Sequence, residues 1–310
     1  MADILVIKLG ALGDFVQALG PFAAIRRHHA GDRITLLTTP PFAELARASG
    51  CFDAVETGGR PGAFDVAAWV HLLRVLNSGF GRVYDLQTSD RSSFYHALMG
   101  FPFSRRPEWS GIAAGSSHPH ANPERDSLHT IERQREQLAA AGIGPVPLPD
   151  VTWAKVDVAR FDLKPPYVLL VPGGSAHRSE KRWPLDRFAA LARRLLAAGM
   201  TPVLIGARDE MALLASIAAA APGVRSLAGE TSLLEIATLA RGARAAVGND
   251  TGPLHLIAAA GIPVVVLFSG ASDPELCAPR GPRADTVTVL QASSLADLAE
   301  ATVARALDLV

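Results

Sequence analysis

Cysteine is scarce in this sequence: only Cys51 and Cys277 occur among 310 residues, and they lie far apart in the chain. This scarcity argues against a disulfide framework, and we interpret both residues as reduced thiols of a cytoplasmic protein. An excess of charge of one sign is also absent, because 30 basic residues balance 30 acidic ones. Nothing global therefore draws the chain to nucleic acid or holds it on an anionic membrane.

Long hydrophobic runs are missing as well. The longest apolar stretch, residues 256–268, is interrupted by Gly261 and Pro263 and is shorter than the ~20 residues that span a bilayer. The first ten residues lack the positive region and cleavage site of a secretory signal. These absences favour a cytoplasmic protein without a transmembrane helix.

Short β-branched runs alternate with Ala- and Leu-rich helical stretches in both halves of the chain. This alternation is typical of an α/β fold with parallel sheets. The pattern is interrupted over residues 142–166, which are rich in Pro and Gly and predict a linker. We therefore predict one domain over residues 1–155 and a second over 160–292, with an amphipathic helix over 293–310 that packs back on the first domain.

The first strand leads into a glycine turn with one carboxylate. Residues 4–14 read "ILVIKLGALGD", so Asp14 is expected at the start of a helix, over the carboxyl end of a buried strand. Ligands of open α/β sheets bind at that end. From the residues alone, Asp14 is interpreted as a base, a sugar ligand or a helix cap.

The corresponding strand of the second half leads into "PGGSAHRSEKRWP", residues 172–184. Its small residues permit close approach of the backbone to a phosphate, and its cations supply charge and donors. The glycine spacing of a Walker loop is missing, which disfavours a P-loop kinase or ATPase. A phosphate site and a solvated basic loop both remain open at this point.

Two further stretches in the second half follow strands. Residues 246–261, "AVGNDTGPLHLIAAAG", predict a helix that Asp250 or Thr251 caps, with an anion site at its start and His255 one turn in. Residues 204–210, "LIGARDE", carry Glu210 just past a strand, where a carboxylate either accepts bonds from ribose or interacts with a helix dipole. A purely structural His255 is the alternative to a site residue.

Together these motifs resemble glycosyltransferase family 9, the heptosyltransferases of lipopolysaccharide inner-core assembly. The resemblance rests on "GD" at 13–14, "DLQ" at 85–87, "PGG" with "KRWP" at 181–184, and "GNDTGPLH" at 248–255. It implies a GT-B fold, in which two Rossmann-like domains face each other across a cleft. It also implies inverting transfer of heptose from ADP-heptose, with Asp14 as general base and Lys181 as a diphosphate ligand.

The resemblance implies a wider set of site residues. Glu210 becomes the ribose partner, and the other donor-binding residues are Gly13, Asp250, Thr251, Gly252 and His255. Further candidates are Ser175, His177, Gln87 and Arg91. Arg91, like its neighbours in the acceptor loops, is either a ligand of an anionic acceptor or a solvated surface residue.

The resemblance implies an ADP-sugar donor. We expect no metal cofactor, because the chain has no Asp-x-Asp triplet and no His/Cys cluster at metal-ligand spacing. The expected acceptor is an anionic glycolipid, with peripheral contact at the cytoplasmic face of the inner membrane and no nucleic acid partner. The alternatives are transfer with another nucleotide-sugar and acceptor, a sugar-nucleotide epimerase, and a non-catalytic protein that binds nucleotide-sugars.

Overall fold

A computed structural model of the chain describes residues 1–100, 106–174, 178–283 and 285–309. The chain divides into two units, Met1–Leu148 and Pro149–Val310. This division falls inside the Pro- and Gly-rich stretch at 142–166, before the position 155 at which we predicted the first domain to end.

Unit 1 contains a six-stranded parallel sheet within the described residues. Its strands are β1 (Asp3–Ile7), β2 (Arg33–Leu37), β3 (Ala54–Glu56), β4 (Arg82–Asp85), β5 (Glu108–Gly111) and β6 (His118–Pro119). Its helices are α1 (Leu12–Gln17), α2 (Leu19–His28), α3 (Ala43–Ala48), α4 (Val66–Leu76), α5 (Asp90–Leu98) and α6 (Thr130–Ala140).

Unit 2 repeats this plan with a second six-stranded parallel sheet among its described residues. Its strands are β7 (Tyr167–Val171), β8 (Thr201–Leu204), β9 (Arg225–Ser226), β10 (Ala245–Asn249), β11 (Val264–Ser269) and β12 (Val287–Ala292). Its helices are α7 (Leu185–Ala197), α8 (Met211–Ala220), α9 (Leu233–Gly242), α10 (Gly252–Ala258), α11 (Pro274–Cys277) and α12 (Glu300–Leu307).

The strand order is the same in both sheets. Unit 1 has the order β3-β2-β1-β4-β5-β6, and unit 2, read from its other edge, has β9-β8-β7-β10-β11-β12. This is the Rossmann order, which reverses direction between the first and fourth strands of each sheet. A crevice therefore opens at the carboxyl ends of β1 and β4 in unit 1, and of β7 and β10 in unit 2.

Burial explains why the central strands were readable from sequence. All five residues of β7 and of β10 are buried, and four of the five in β1. Strands covered on both faces need continuous apolar runs. The edge strand β12 has no buried residue and was not predicted, because its sequence lacks such a run.

The last helix corrects one expectation. The segment 293–310 was predicted to pack on the first domain, but α12 belongs to unit 2, where Val303, Ala304 and Leu307 join the hydrophobic core with Phe188 and Leu191 of α7. The reason is proximity, since α12 follows β12 and buries its apolar stripe on the nearest face of the same sheet.

The start of that helix also differs from the prediction. The helix was predicted from residue 293, but Ser294 caps a short 3₁₀ turn, Leu295–Asp297, and α12 begins only at Glu300. No helix of the described residues is long and apolar enough to cross a membrane.

Candidate active site

Asp14 lies in the first turn of α1, at the carboxyl end of β1, and its side chain is exposed. Ala11 occupies the N-cap position, so Asp14 is not the capping residue that the sequence allowed. Gly10 makes the turn possible. Its φ is +120°, and a Cβ there would lie 2.9 Å from the ring of Phe42, so a larger residue would be strained.

Two hydrogen bonds tie this turn to the end of β4. The backbone N–H of Leu9 donates to Oε1 of Gln87 at 2.8 Å, and Nζ of Lys8 donates to the carbonyl of Leu86 at 2.9 Å. Gln87, a candidate from the sequence, thus contacts the backbone just before the Asp14 turn. It lies where it can position that turn.

Asp85 organises the end of β4 from a fully buried position. Its Oδ1 accepts hydrogen bonds from the backbone N–H groups of Gln87 at 3.1 Å and Thr88 at 3.0 Å. These bonds hold Thr88 at a φ of +45°, which is unusual for a residue with a branched side chain. Burial raises the pKa of Asp85 to about 6, although Ser92, these N–H groups and Lys8 favour the ionised form.

A cavity of about 160 Å³ opens beside Asp14. Its lining includes Lys8, Arg125 and Arg133, and Asp14 is the only carboxylate among the described lining residues. Lys8 is buried, which lowers its pKa, while the charges of Asp14 and Asp85 oppose that shift. Cations therefore dominate this cavity, which suits an anionic ligand.

The two arginines share an acidic partner. Arg125 lies 2.9 Å and Arg133 3.6 Å from Oδ1 of Asp126, which is largely exposed. Because the Asp126 side chain is exposed to water, its pairing with the less exposed arginines is weak, and an anion could replace it at small cost. Sequence analysis missed Lys8, Arg125 and Arg133; the signal for Lys8 was a single cation within an apolar run. Arg91 is exposed on α5 and is not among the described lining residues.

In unit 2, Asn249 ties together the ends of β7 and β10. Its side chain is buried and donates from Nδ2 to the carbonyls of Pro172 and Gly173, at 2.8 and 3.1 Å. Its Oδ1 accepts from the backbone N–H of Trp183 at 2.9 Å. The "PGG" and "KRWP" motifs and Asn249 thus meet at the switch point of this sheet.

Lys181 and Asp250 form a largely buried ion pair there. Nζ of Lys181 lies 3.1 Å from Oδ2 of Asp250, and the hydroxyl of Ser272 donates to the same oxygen at 3.0 Å. Nε2 of His255 lies 4.0 Å from the other oxygen. Burial would raise the pKa of Asp250, but contacts with His255 and Lys181 outweigh it and keep that pKa below its usual value. Ser272 was not recognised from the sequence.

Glu210 contacts the "PGG" turn that follows β7. Its Oε1 accepts from the N–H of Gly174 at 2.8 Å, and its Oε2 accepts from the N–H of Ala207 at 2.8 Å. A Cβ on Gly173 would lie 2.1 Å from Oε1, so glycine is required for this close approach. The described contacts of Glu210 are thus to backbone, and its ribose role stays a prediction.

The remaining candidates lie around these elements. Thr251 occupies the N-cap position of α10 without a side-chain capping bond, and Gly252 begins that helix. Gly13 is half-buried in α1. Ser175 and His177 lie outside the described residues. In the described part of the chain, no group of three or more His, Cys, Asp or Glu residues could hold a metal ion.

The family model described as glycosyltransferase family 9 (heptosyltransferase) matches residues 69–306. This range covers most of the chain. The protein belongs to glycosyltransferase family 9. The matched range includes Gln87, Lys181, Glu210 and Asp250, whereas Asp14 precedes it.

A relative found by sequence similarity agrees with the match to the family model. Lipopolysaccharide heptosyltransferase 2 of Salmonella typhimurium is 34% identical over 122 residues, which are 38% of this chain and 35% of the relative. The match thus spans about a third of that relative's length.

Solved structures establish the fold of the whole chain. ADP-heptose lps heptosyltransferase II of E. coli has a TM-score of 0.80 at 22% identity, with 99% of this chain and 97% of that chain covered. E. coli heptosyltransferase WaaC with ADP has a TM-score of 0.79 at 21% identity, with 99% of each chain covered. The family 9 chain therefore has the GT-B fold expected from its motifs.

Proposed function

We propose that this family 9 protein is an inverting glycosyltransferase that transfers heptose, or a related sugar, from ADP-heptose to a lipopolysaccharide inner-core acceptor. Its curated relatives are named lipopolysaccharide heptosyltransferases, and one solved structure of the same fold carries ADP. The observation that carries the proposal is the placement of Asp14 beside a cationic cavity, at the switch point of unit 1.

Asp14 acts as the general base. Inverting transfer requires a group that removes the proton of the acceptor hydroxyl while that oxygen attacks the anomeric carbon opposite the diphosphate. The carboxylate of Asp14 is exposed and lines the cavity, so it can reach a bound hydroxyl. Its negative charge also stabilises an oxocarbenium-like transition state.

Lys181 neutralises the leaving diphosphate. This ammonium is held at 3.1 Å from Oδ2 of Asp250, which presents it at the switch point of unit 2. Charge develops on the departing nucleotide, and a preorganised cation stabilises that charge without reorganisation. Asp250, Thr251, Gly252 and His255 form the adjacent donor-binding turn, and Glu210 supports it.

The acceptor binds through its negative charge. Lys8, Arg125 and Arg133 surround the space beside Asp14, and an arginine pairs well with a carboxylate or a phosphate. An acidic sugar or a phosphorylated glycolipid therefore fits this cavity. The enzyme would meet such a lipid at the cytoplasmic face of the inner membrane, with no metal and no nucleic acid involved.

The test is transfer from ADP-heptose to a Kdo-bearing lipid A or a water-soluble acyl-free analogue, followed by mass spectrometry and NMR. We expect product of inverted anomeric configuration, with turnover that persists in EDTA.

Lys181→Ala should raise the donor KM by roughly 10- to 100-fold, since a charge-assisted contact is worth ~1.5–3 kcal/mol. Lys164→Ala, an exposed lysine of the same unit, is the matched control. No transfer to either acceptor would refute the proposal, and an epimerised donor would replace it with the epimerase alternative.

A further inference from the structure

Large hydrophobic side chains are exposed mainly in one region of unit 1. Eight such side chains are exposed among the described residues, and five of them lie on α4, on α5 or just before α4. These five, which we name the apolar patch, are Phe64, Val66, Val70, Leu73 and Phe94. Phe64 is 97% exposed and Val66 is 73% exposed. Single exposed hydrophobics are ordinary, but a cluster marks an interaction surface.

Hydrogen bonds and ring contacts join the patch into one surface. Val66, Val70 and Leu73 follow the i, i+4, i+7 spacing of one helix face. The ring of Trp69 meets Phe94 edge-on at 6.4 Å, and its Nε1 donates to the carbonyl of Gly62 at 3.0 Å. The patch is therefore held by folded contacts and does not depend on a loose segment.

The start of the patch lies at the same edge of the sheet as Asp14, whereas the end of α4, with Leu73, lies toward the opposite edge. The loop before α4 follows β3, and a Cβ on its Gly59 would lie 2.3 Å from Leu9, next to the Asp14 turn. The hydroxyl of Tyr95 on α5 donates to the carbonyl of Gly59 at 2.8 Å, which fixes α5 to that loop. An acceptor bound beside Asp14 would thus have the start of the patch, Phe64 and Val66, as its neighbour.

The charges around the patch suit anionic headgroups. Arg60, Arg74 and Arg91 are exposed on the same segments. Two exposed carboxylates lie on these segments. Asp65 is the N-cap of α4 and accepts a hydrogen bond from the N–H of Ala68, and Asp90 begins α5. The net positive charge is small, so burial of apolar side chains must supply most of the binding.

We propose that the apolar patch docks unit 1 on the lipid surface that carries the acceptor, with its side chains inserted at the headgroup boundary and its arginines against anionic headgroups. This inference rests on the proposed function, in which the acceptor is a glycolipid held in a membrane. Helices that lie in the plane of a membrane interface use this combination of bulky apolar residues and flanking cations. Docking would present the acceptor headgroup to Asp14 without extraction of the lipid.

The test is co-sedimentation of the full chain with vesicles of phosphatidylcholine and phosphatidylglycerol, without donor or acceptor. We expect Phe64→Ser/Val66→Ser/Phe94→Ser to lower the partition coefficient by about tenfold or more, because each replaced side chain removes substantial apolar burial. The matched control is Met211→Ser/Val289→Ser, which removes two exposed apolar side chains of unit 2. The control should bind as the native chain does.

Several outcomes would overturn the inference. The inference is wrong if the native chain does not bind vesicles, if the triple variant binds them equally well, or if the control loses as much binding as the triple variant. It is also wrong if the patch forms a dimer in light scattering and that dimer does not bind vesicles. Phe64→Ser alone, on the most exposed side chain of the patch, replaces the triple variant should that variant misfold. The triple variant should keep turnover of a water-soluble acceptor and lose turnover of a vesicle-embedded one. Vesicle binding by an enzyme inactive on both acceptors would refute the proposed function but leave the docking surface intact.

Discussion

Asp14 has a geometry that separates its chemical role from a structural one. Because Ala11 is the N-cap of α1, the Asp14 carboxylate is not needed to begin that helix. Asp14→Asn keeps the size of the side chain and removes its basicity. We expect turnover to fall by ~100-fold or more, while the donor KM and the melting temperature change little. Steady-state kinetics with ADP-heptose and thermal melting measure these quantities.

An unchanged fold is the control for this variant, because a general base is needed for transfer and not for folding. An Asn variant with near-native turnover would leave the base unassigned. A large drop in its melting temperature would instead indicate a structural role.

The placement of candidate residues was predictable where a motif combined glycine with one polar group, since Asp14, Lys181 and Asp250 each follow the end of a central strand. Their roles in transfer stay predictions. Ser272 was not predictable, because it reaches Asp250 from the segment after β11, and no local pattern records that contact. Lys8 was visible in the sequence, but its cavity forms only when α6 supplies Arg133. Contacts between segments that are distant in the chain could not be predicted from the sequence.

At the scale of elements, apolar runs predicted the buried strands β1, β7, β10 and β11. The sequence did not predict β5, β6, β9 and β12. Of these four, β6 and β9 are each only two residues long, and β12 has no buried residue. Edge strands of this kind carry no continuous apolar signal. The error in α12 has a similar origin, since an amphipathic pattern predicts a helix but not the surface it covers.

The end of β4 gives a pH prediction. Asp85 has a pKa of about 6 in the folded chain, above its ordinary value of 3.8, because it is buried. The folded state therefore holds this proton more tightly than the unfolded state. The contribution of Asp85 to stability should fall by about 3 kcal/mol as pH rises from about 3 to about 7, with most of the loss between about 4 and 6.

Asp85→Asn tests this assignment. Urea denaturation of both proteins across pH 4 to 7 should show the variant gaining about 2 kcal/mol of stability relative to the native chain over that interval. Other titrating groups, Asp250 among them, are common to both proteins and cancel in the difference. Parallel curves would mean that Asp85 does not titrate in this range.

At the scale of the molecule, sequence alone predicted two Rossmann-like halves, because both begin with a buried strand and a glycine turn. The strand order 3-2-1-4-5-6 was not readable, since it depends on which strands pair. It explains why the motifs lie where they do. Asp14 and Gln87 follow the two strands of one switch point, and Lys181 and Asp250 follow those of the other.

The last prediction concerns the nucleotide and the whole chain. A ligand that binds only the native state stabilises it by about 2.7 kcal/mol at a hundredfold excess over its Kd, which corresponds to roughly 5–10 °C in melting temperature. We expect ADP to give this shift in EDTA, and GDP and UDP to give less. Lys181 provides a protein cation for the diphosphate, so Lys181→Ala should reduce the shift and Asp14→Asn should not. If the ADP shift vanished in EDTA and returned with magnesium or manganese, a metal would neutralise the leaving group, and Lys181 would have another role.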